Sequence, residues 1–363
     1  MNVRAKIQSD IVEAIKDHKF NCIIDVIPRA GKSKAIIDCL KLIPNKKILI
    51  SAPYVTTLDS WKQEFIKWNY KGEATLTTTV SLGTHDLDEY DLIVIDECHL
   101  LSPAKLAILK ASKTRKVLMS GTISSKTLDK LKDTLELKLA YEYGIEQGIK
   151  DKIVSDIEIN IVSVPLDNKK KYIKGGSKDK PFLTTEKQNY EYNSKKLRQA
   201  FAVAKRTGNQ DYVKLVAGAR ARAIYAYESK IEWTKKLITK LPEKKLIFTK
   251  LTANDLCEHK HDSKTKEDNL SLFIENKIND LQVVNMVSVG ITIPDLKLII
   301  VHQFDSSAQT GMQKLMRACN YIDGEKAIIY MICYQDTQDE VWVNKAVSMF
   351  PNSKINHIHY KNI

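Results

Sequence analysis

The chain has 363 residues, is 43% hydrophobic and carries a formal net charge of +13. This length suits two domains of ordinary size, each able to bury a core. The sequence contains no apolar run near the ~20 residues of a membrane span and no signal-peptide core at its N-terminus, so we expect no membrane partner and a cytoplasmic location. Six scattered cysteines are typical of a reduced protein in which the thiols are small core residues.

The first predicted strand, residues 22–27, leads into Arg29-Ala30-Gly31-Lys32-Ser33, and an amphipathic helix is predicted over residues 34–40. A strand, a tight loop and a helix N-terminus form a cradle in which backbone N–H groups face a phosphate. In such a cradle Lys32 reaches the β- and γ-phosphates and the Ser33 hydroxyl ligates Mg²⁺. The strict pattern G-x-x-x-x-G-K-[ST] is not met, because Val26 stands at its first glycine. Taken alone, the segment is also compatible with a solvated turn.

A second motif, Asp96-Glu97-Cys98-His99, follows the apolar run 92–95. In an open parallel sheet, ligands bind at the carboxyl ends of the strands. At that edge Asp96 would hold Mg²⁺, and Glu97 would orient and deprotonate the attacking water. An acidic pair after a strand is also compatible with a helix cap. The two motifs lie about sixty residues apart in the expected order, each behind a β-type run, and this combination favours hydrolysis of a nucleoside triphosphate.

Further apolar runs predict the remaining strands of an α/β protein. In the first half they cover residues 47–52, 75–80 and 116–120, with helices between them. In the second half an alternating strand over 157–164 precedes apolar strands over 245–248, 281–286, 297–302 and 327–333. Parallel strands that alternate with helices predict α/β lobes with right-handed crossovers.

Positive charge is concentrated in one segment of the chain. Residues 151–240 contain 20 Lys/Arg and 10 Asp/Glu, a net charge of +10, so the remaining residues carry only +3. The densest part includes Lys169, Lys170 and Lys171, and the helical stretch behind it interleaves aromatic residues with lysine and arginine. Taken alone, the lysine run is more typical of a solvated loop, and most of the aromatics are expected in the core. In a nucleic-acid motor, such a basic segment would instead contact a phosphate backbone, and at most one or two of the aromatics would stack on bases.

The motifs together resemble those of the superfamily 2 helicases of the DExH kind, in family order along almost the whole chain. The resembling segments are residues 26–33 (motif I), 50–53 with Trp61 (Ia), 78–82 (Ib), 96–99 (II), 120–122 (III), 246–249 (IV), 285–294 (V) and 313–320 (VI). The resemblance implies two RecA-like lobes, residues 1–150 and 151–363, with a basic helical insertion over about 168–240 in the second lobe.

The resemblance also implies roles for single residues. The catalytic residues would be Lys32, Asp96, Glu97, Gln313 and the arginine finger Arg317. The nucleotide would be bound by Gln8, which reads adenine, and by Pro28, Arg29, Ala30, Gly31, Lys32, Ser33 and Gly290. His99, Ser120 and Thr122 would couple nucleotide state to motion, and the nucleic acid would contact Pro53, Thr78, Thr249, Lys169, Lys170 and Lys171.

Three positions depart from the family pattern. Asn320 stands where motif VI usually has a second arginine, Arg29 where motif I commonly has a glycine, and Thr292 where motif V frequently has an aspartate. None of the three removes the lysine, the magnesium aspartate or the catalytic glutamate. They leave open that ATP turnover is slow, or that the protein is a nucleic-acid binding module with a weakened ATP site.

The resemblance extends to DNA helicases of phage recombination and branch migration, and to translocating subunits of restriction and repair systems. It implies a DNA helicase or translocase that uses ATP and Mg²⁺ for strand separation, annealing or branch migration in a bacterial or phage-infected cell. The partners would be single-stranded, forked or branched DNA and replication or recombination proteins. Two further alternatives are an RNA helicase of the same superfamily and a motor subunit that needs a nuclease partner.

Overall fold

The computed structural model describes residues 2–121, 123–176, 179–262, 265, 268–284, 293–305, 325–348 and 350–362. The chain forms two compact units, the first ending at Asp156 and the second beginning at Ile157. Several residues singled out in the sequence lie outside the described residues: Thr122, Gly290, Thr292, Gln313, Arg317 and Asn320.

The first unit is built on a six-stranded sheet with the order β3-β2-β4-β5-β1-β6, in which all neighbouring strands are parallel. Its strands are β1 (Cys22–Val26), β2 (Ile48–Ala52), β3 (Ala74–Thr78), β4 (Leu92–Asp96), β5 (Arg115–Ser120) and β6 (Lys138–Tyr143). The predicted α/β architecture is confirmed. The edge strand β6 was not predicted, because most of it is only half-buried and its apolar pattern is weak.

Helices separate the strands of the first unit, and their bounds are α1 (Val3–Asp17), α2 (Lys32–Lys41), α3 (Val55–Lys67), α4 (Pro103–Ala111), α5 (Ser125–Leu135) and α6 (Ile145–Lys150). Side-chain caps mark three N-termini: Asn2 caps α1, Ser102 caps α4 and Ser124 caps α5. The central strands β2 and β4 are buried along their whole length, as expected for a parallel sheet covered on both faces.

The second unit contains a seven-stranded sheet with the order β11-β12-β10-β13-β14-β7-β15 and a separate antiparallel hairpin, β8-β9. The strands are β7 (Asp156–Val164), β8 (Ile173–Gly176), β9 (Pro181–Thr184), β10 (Lys245–Thr249), β11 (Lys260–His261), β12 (Asp280–Val284), β13 (Leu298–Val301), β14 (Lys326–Tyr334) and β15 (Ile355–His359). The sequence did not predict β8, β9, β11 or β15, since these short strands are polar or half-exposed.

The basic helical insertion of the second unit is confirmed as three successive helices. The helices of this unit are α7 (Glu186–Thr207), α8 (Gln210–Ala226), α9 (Glu228–Lys240), α10 (Asn269–Ile274) and α11 (Gln338–Val347). Thr185 and Gln188 form a capping box at the start of α7. Gly208 ends the same helix with a φ of +73°, a conformation that glycine adopts at little cost.

Buried polar contacts hold the insertion together and join it to α11, and Lys230 also donates to the Ile332 carbonyl of the sheet. Glu186 is fully buried and accepts hydrogen bonds from the Tyr172 hydroxyl at 2.7 Å and the Ser229 hydroxyl at 2.5 Å. At the start of α9, Lys230 forms an ion pair of 2.6 Å with Asp339, and both side chains are at most 1% exposed. Such groups must be paired, because an isolated buried charge is costly.

Candidate nucleotide-binding site

The loop between β1 and α2 has the backbone of a phosphate cradle. Gly31 has a φ of +95°, and a Cβ at this position would lie 2.1 Å from Gln8 Nε2, so that only glycine fits here without movement. Arg29 also lies in the left-handed region, with a φ of +73°. This conformation costs a non-glycine residue free energy that glycine does not lose.

The Lys32 ammonium lies at the centre of this loop. Lys32 Nζ donates to the carbonyl of Val26 at 2.8 Å. A Cβ at Gly121, directly after β5, would lie 2.9 Å from Lys32 Nζ and 2.9 Å from Pro28 Cδ. Gly121 therefore packs against the cradle. A phosphate bound in the cradle would compete with the Val26 carbonyl for the Lys32 ammonium.

Asp96 is held rigidly at the carboxyl end of β4. One carboxylate oxygen accepts from the Glu97 backbone N–H at 2.9 Å, and the other accepts from Trp61 Nε1 at 3.0 Å. Burial, reinforced by the neighbouring Glu97 charge, raises the pKa of Asp96 to about 7. A cation beside this carboxylate would offset the cost of burying its charge.

The donor set formed by Asp96 and Ser33 fits Mg²⁺. Magnesium in phosphoryl-transfer sites is held by one or two protein oxygens, with substrate phosphate and water completing its shell. Among the described residues, no three or more His, Cys, Asp or Glu side chains form a group that could hold a metal ion.

Glu97, Ser120 and His99 form a hydrogen-bonded chain beside the cradle. The Ser120 hydroxyl donates to Glu97 Oε2 at 3.3 Å, and His99 Nδ1 lies 2.6 Å from the same hydroxyl. Burial, together with the Lys32 charge, lowers the pKa of His99 to about 4, so the imidazole is neutral at pH 7. Glu97 itself has a φ of +50°, a strained conformation of the kind found at functional sites. The structure thus brings together three residues that the sequence assigned to catalysis and coupling.

Two residues near the cradle were missed in the sequence. Asp25 on β1 faces the Ile123 N–H, with both of its oxygens within 3.4 Å, and burial raises its pKa to about 7. The available signal was an acidic residue inside an otherwise apolar strand. Trp68 follows α3, and its indole N–H donates to Glu64 at 2.6 Å. No local pattern marks this tryptophan as part of a site, because Lys34, whose ammonium faces its ring, comes from a distant part of the sequence.

Trp68 lines a cleft of about 500 Å³ in the first unit. The cleft is also lined by Arg4 and Gln8 of α1 and by the cradle residues Arg29, Gly31, Lys32 and Ser33. Lys34 Nζ lies 4.8 Å from the centroid of the tryptophan ring. An aromatic ring and an amide beside a phosphate cradle are groups of the kind that line small-molecule sites.

The residues expected to contact nucleic acid are distributed over both units. Thr78 ends β3, Pro53 directly follows the neighbouring parallel strand β2, and both residues are half-buried. The Thr249 side chain is fully buried and donates to the Leu251 carbonyl at 3.3 Å, so its hydroxyl is not presented at the surface. Lys169 and Lys171 are exposed, whereas Lys170 forms a 2.5 Å ion pair with Glu228.

No family model matches the chain, and neither does any curated protein sequence. Solved structures do match. The ATP-dependent Type ISP restriction-modification enzyme LlaBIII, solved bound to DNA, is similar with a TM-score of 0.60 at 11% identity, over 99% of this chain and 31% of that one. The helicase domain of Hef from Pyrococcus furiosus is similar with a TM-score of 0.51 at 13% identity, over 94% of this chain and 97% of that one.

The chain therefore spans less than a third of the restriction enzyme and almost the whole of the Hef helicase domain. Within its described part, no helix combines the length and the apolar character needed to cross a bilayer. The likeness at these identities concerns the fold: two parallel sheets flanked by helices, as in RecA-like helicase domains.

Proposed function

We propose that the chain is an ATP-dependent nucleic-acid motor of superfamily 2, and more specifically a DNA helicase or translocase. The observation that carries this proposal is the cluster of Lys32, Asp96, Glu97, Ser120 and His99 at the carboxyl edge of the first sheet. The net charge of +13 and the DNA held by the restriction enzyme of similar fold favour DNA as the partner.

The proposed hydrolysis uses residues whose positions are already fixed. Lys32 exchanges its bond to the Val26 carbonyl for the β- and γ-phosphates, while Ser33 and Asp96 would hold the Mg²⁺ that neutralises phosphate charge. Glu97 orients the attacking water and accepts its proton. Because Ser120 links Glu97 to His99, a change at the γ-phosphate is transmitted to the segment that ends β5. Gln8 and Trp68 would bind the adenine.

The proposal assigns Arg317 as the arginine finger, with Gln313 beside it on the same predicted helix, Gly290 at the nucleotide site and Thr122 in the coupling between nucleotide state and motion. Arg317→Ala is expected to lower kcat by at least ~10² while leaving ATP affinity nearly unchanged, because the charge acts mainly in the transition state. Steady-state kinetics with a parallel nucleotide-binding titration separates the two quantities. An unchanged kcat would show that Arg317 is not the arginine finger.

Trp68→Ala is expected to weaken ATP binding by roughly 5- to 150-fold, the range for a base stacked on an aromatic side chain. Binding of inorganic tripolyphosphate should not change, since that ligand has no base. Trp68→Phe, which keeps an aromatic face, should restore most of the ATP affinity. Equal losses for ATP and tripolyphosphate would show that Trp68 supports the cradle instead of the base.

The proposal gives the surface lysines a role in binding the phosphate backbone, together with Pro53 and Thr78. Replacing Lys169 and Lys171 with glutamine should weaken DNA binding similarly for all sequences and reduce the slope of log K against log salt by about 0.7–0.9 per lost contact. Lys170→Gln should have a smaller effect, since its charge is already paired with Glu228. Unchanged affinity and slope would identify this segment as a solvated loop.

A strand-displacement assay tests both which nucleic acid is the substrate and whether ATP hydrolysis separates its strands. Labelled forks of DNA and of RNA, a branched DNA junction and a single strand are offered with ATP or with a non-hydrolysable analogue. Our proposal predicts ATP-dependent displacement or branch migration on DNA. Displacement on RNA alone would favour an RNA helicase, and activity only after a nuclease or recombination protein is added would favour a motor subunit.

A second candidate is a nucleic-acid binding module with a weakened ATP site. The specific observation that favours it is Arg29, an arginine in a left-handed conformation within the cradle. Arg29→Gly would relieve that strain. A large rise in ATP turnover in this variant would indicate that the natural site is weakened, and an unchanged turnover would indicate that it is not.

A further inference from the structure

The helical hairpin formed by α7 and α8 exposes apolar side chains that it does not use for its own packing. The two helices contact each other through a small buried cluster of Leu197, Ala200, Ala204 and Val213. Outside that cluster, five large apolar residues are exposed by 43–64%: Tyr192, Phe201, Val203, Tyr212 and Leu215. An exposed apolar surface on one motif is typical of a binding surface.

Positive charge accompanies these exposed side chains. Between Glu186 and Ala226 the exposed charged residues are eight basic ones, Lys187, Lys195, Lys196, Arg198, Lys205, Arg206, Lys214 and Arg222, and two acidic ones, Glu191 and Asp211. A protein surface of ordinary composition mixes the two signs, whereas this hairpin is strongly basic. Its partner should therefore be acidic.

The aromatic and basic residues also share helix faces. Lys196 is one turn beyond Tyr192, and its ammonium lies 4.7 Å from the centroid of that ring. Phe201 has Arg198 three residues before it and Lys205 four residues after it, spacings that place all three on one face of α7. Each exposed ring of α7 thus has a cation one helical turn away.

We propose that the α7–α8 hairpin binds single-stranded nucleic acid, with Phe201 and Tyr192 stacking on unpaired bases and Arg198, Lys205 and Lys196 contacting the flanking phosphates. Aromatic rings beside cations are the groups that bind single strands without sequence preference. Tyr192 and Phe201 are nine residues apart, which places them on opposite sides of α7, so each ring and its neighbouring cations would form a separate contact with the strand. The inference rests on the proposed function and adds a surface for unpaired bases that is separate from Lys169, Lys171, Pro53 and Thr78.

The test uses two double variants of the full chain. Their binding to oligo-dT and oligo-U of 20 nucleotides is measured by fluorescence anisotropy in the absence of ATP. Tyr192→Ala/Phe201→Ala should bind at least ~10-fold more weakly, since one stacked base contributes roughly a factor of 5 to 150. Its salt slope should equal that of the wild type. Arg198→Gln/Lys205→Gln should also bind more weakly, and its slope should fall by about 1.4, or about 0.7 per phosphate contact on a single strand.

Blunt duplex DNA supplies the discriminating arm, because its bases are stacked inside the helix and unavailable to the rings. The aromatic variant should bind this duplex like the wild type. Ile66→Ala, which removes an 82% exposed apolar side chain from α3 of the first unit, is the matched control and should bind all ligands normally. Comparing oligo-dT with oligo-U shows whether the surface prefers DNA or RNA.

Unchanged oligonucleotide binding by the aromatic variant would overturn the inference. The inference would also be overturned if the wild type were a dimer and the aromatic variant a monomer with the same oligonucleotide affinity. That result would mean that the exposed rings bind a second copy of the chain. ATP hydrolysis is measured on the same samples with and without oligo-dT. If it is absent in the wild type under both conditions while the oligonucleotide results hold, the proposed function fails and the hairpin assignment stands.

Discussion

Glu97→Gln is expected to lower ATP turnover by about 10²–10⁴-fold, the contribution of a positioned general base, while Mg·ATP still binds. The amide has the shape of the carboxylate and can still accept the Ser120 hydrogen bond, so the chain to His99 survives, but it cannot take the proton of the attacking water. Lys32→Ala should lose turnover and most of the nucleotide affinity together, because Lys32 acts on the phosphates themselves.

Glu89→Gln is the matched control, since Glu89 is an exposed glutamate of the same unit and pairs with Lys47 on the surface. We expect it to hydrolyse ATP at the wild-type rate. Initial rates and a binding titration with labelled ATP give both quantities for all three variants. Near-normal turnover in Glu97→Gln would show that Glu97 is not the general base. Asp25, half-buried on β1, would then be the next candidate.

Lys230→Met is expected to destabilise the second unit by about 3–5 kcal/mol. The substitution leaves the Asp339 carboxylate buried without its cation, and it removes a donor from the Ile332 carbonyl 3.3 Å away. Replacing both partners, as in Lys230→Met/Asp339→Leu, should cost less than either single change, because no uncompensated charge remains buried.

Urea unfolding followed by tryptophan fluorescence measures this effect on the second unit. In a Trp61→Phe/Trp68→Phe background the remaining tryptophans, Trp233 and Trp342, both belong to that unit. Lys214→Met breaks an exposed pair with Asp211 and is the control whose unfolding midpoint should not move. A Lys230→Met protein with the wild-type midpoint would mean that the buried pair does not hold the insertion to α11.

Several of the strands that the sequence predicted are buried on both faces, and such burial imposes a continuous apolar run that can be seen locally. β2, β4, β10 and β13 are of this kind. The edge strands β6 and β15 were missed because their residues are half-exposed and need no apolar pattern. The insertion was predicted as basic and helical, but the hairpin β8-β9 at its start was not.

The candidate site shows the same division between local and tertiary information. Lys32, Asp96 and Glu97 were found in the sequence because short motifs mark the ends of the strands that position them. The place of Trp68 beside Gln8 depends on α1, α2 and α3 packing together, and no local pattern encodes it. The burial of Thr249 and the pairing of the exposed Lys170 with Glu228 likewise depend on distant neighbours, which no local pattern reveals.

The rate of ATP hydrolysis as a function of single-stranded DNA concentration tests the central claim most directly, with Glu97→Gln as the blank. The account predicts a low basal rate that rises saturably with DNA in the wild type and stays at background in the variant. A wild-type rate that remains at the level of the Glu97→Gln blank at every DNA concentration, although the DNA binds, would contradict it and leave a nucleic-acid binding module.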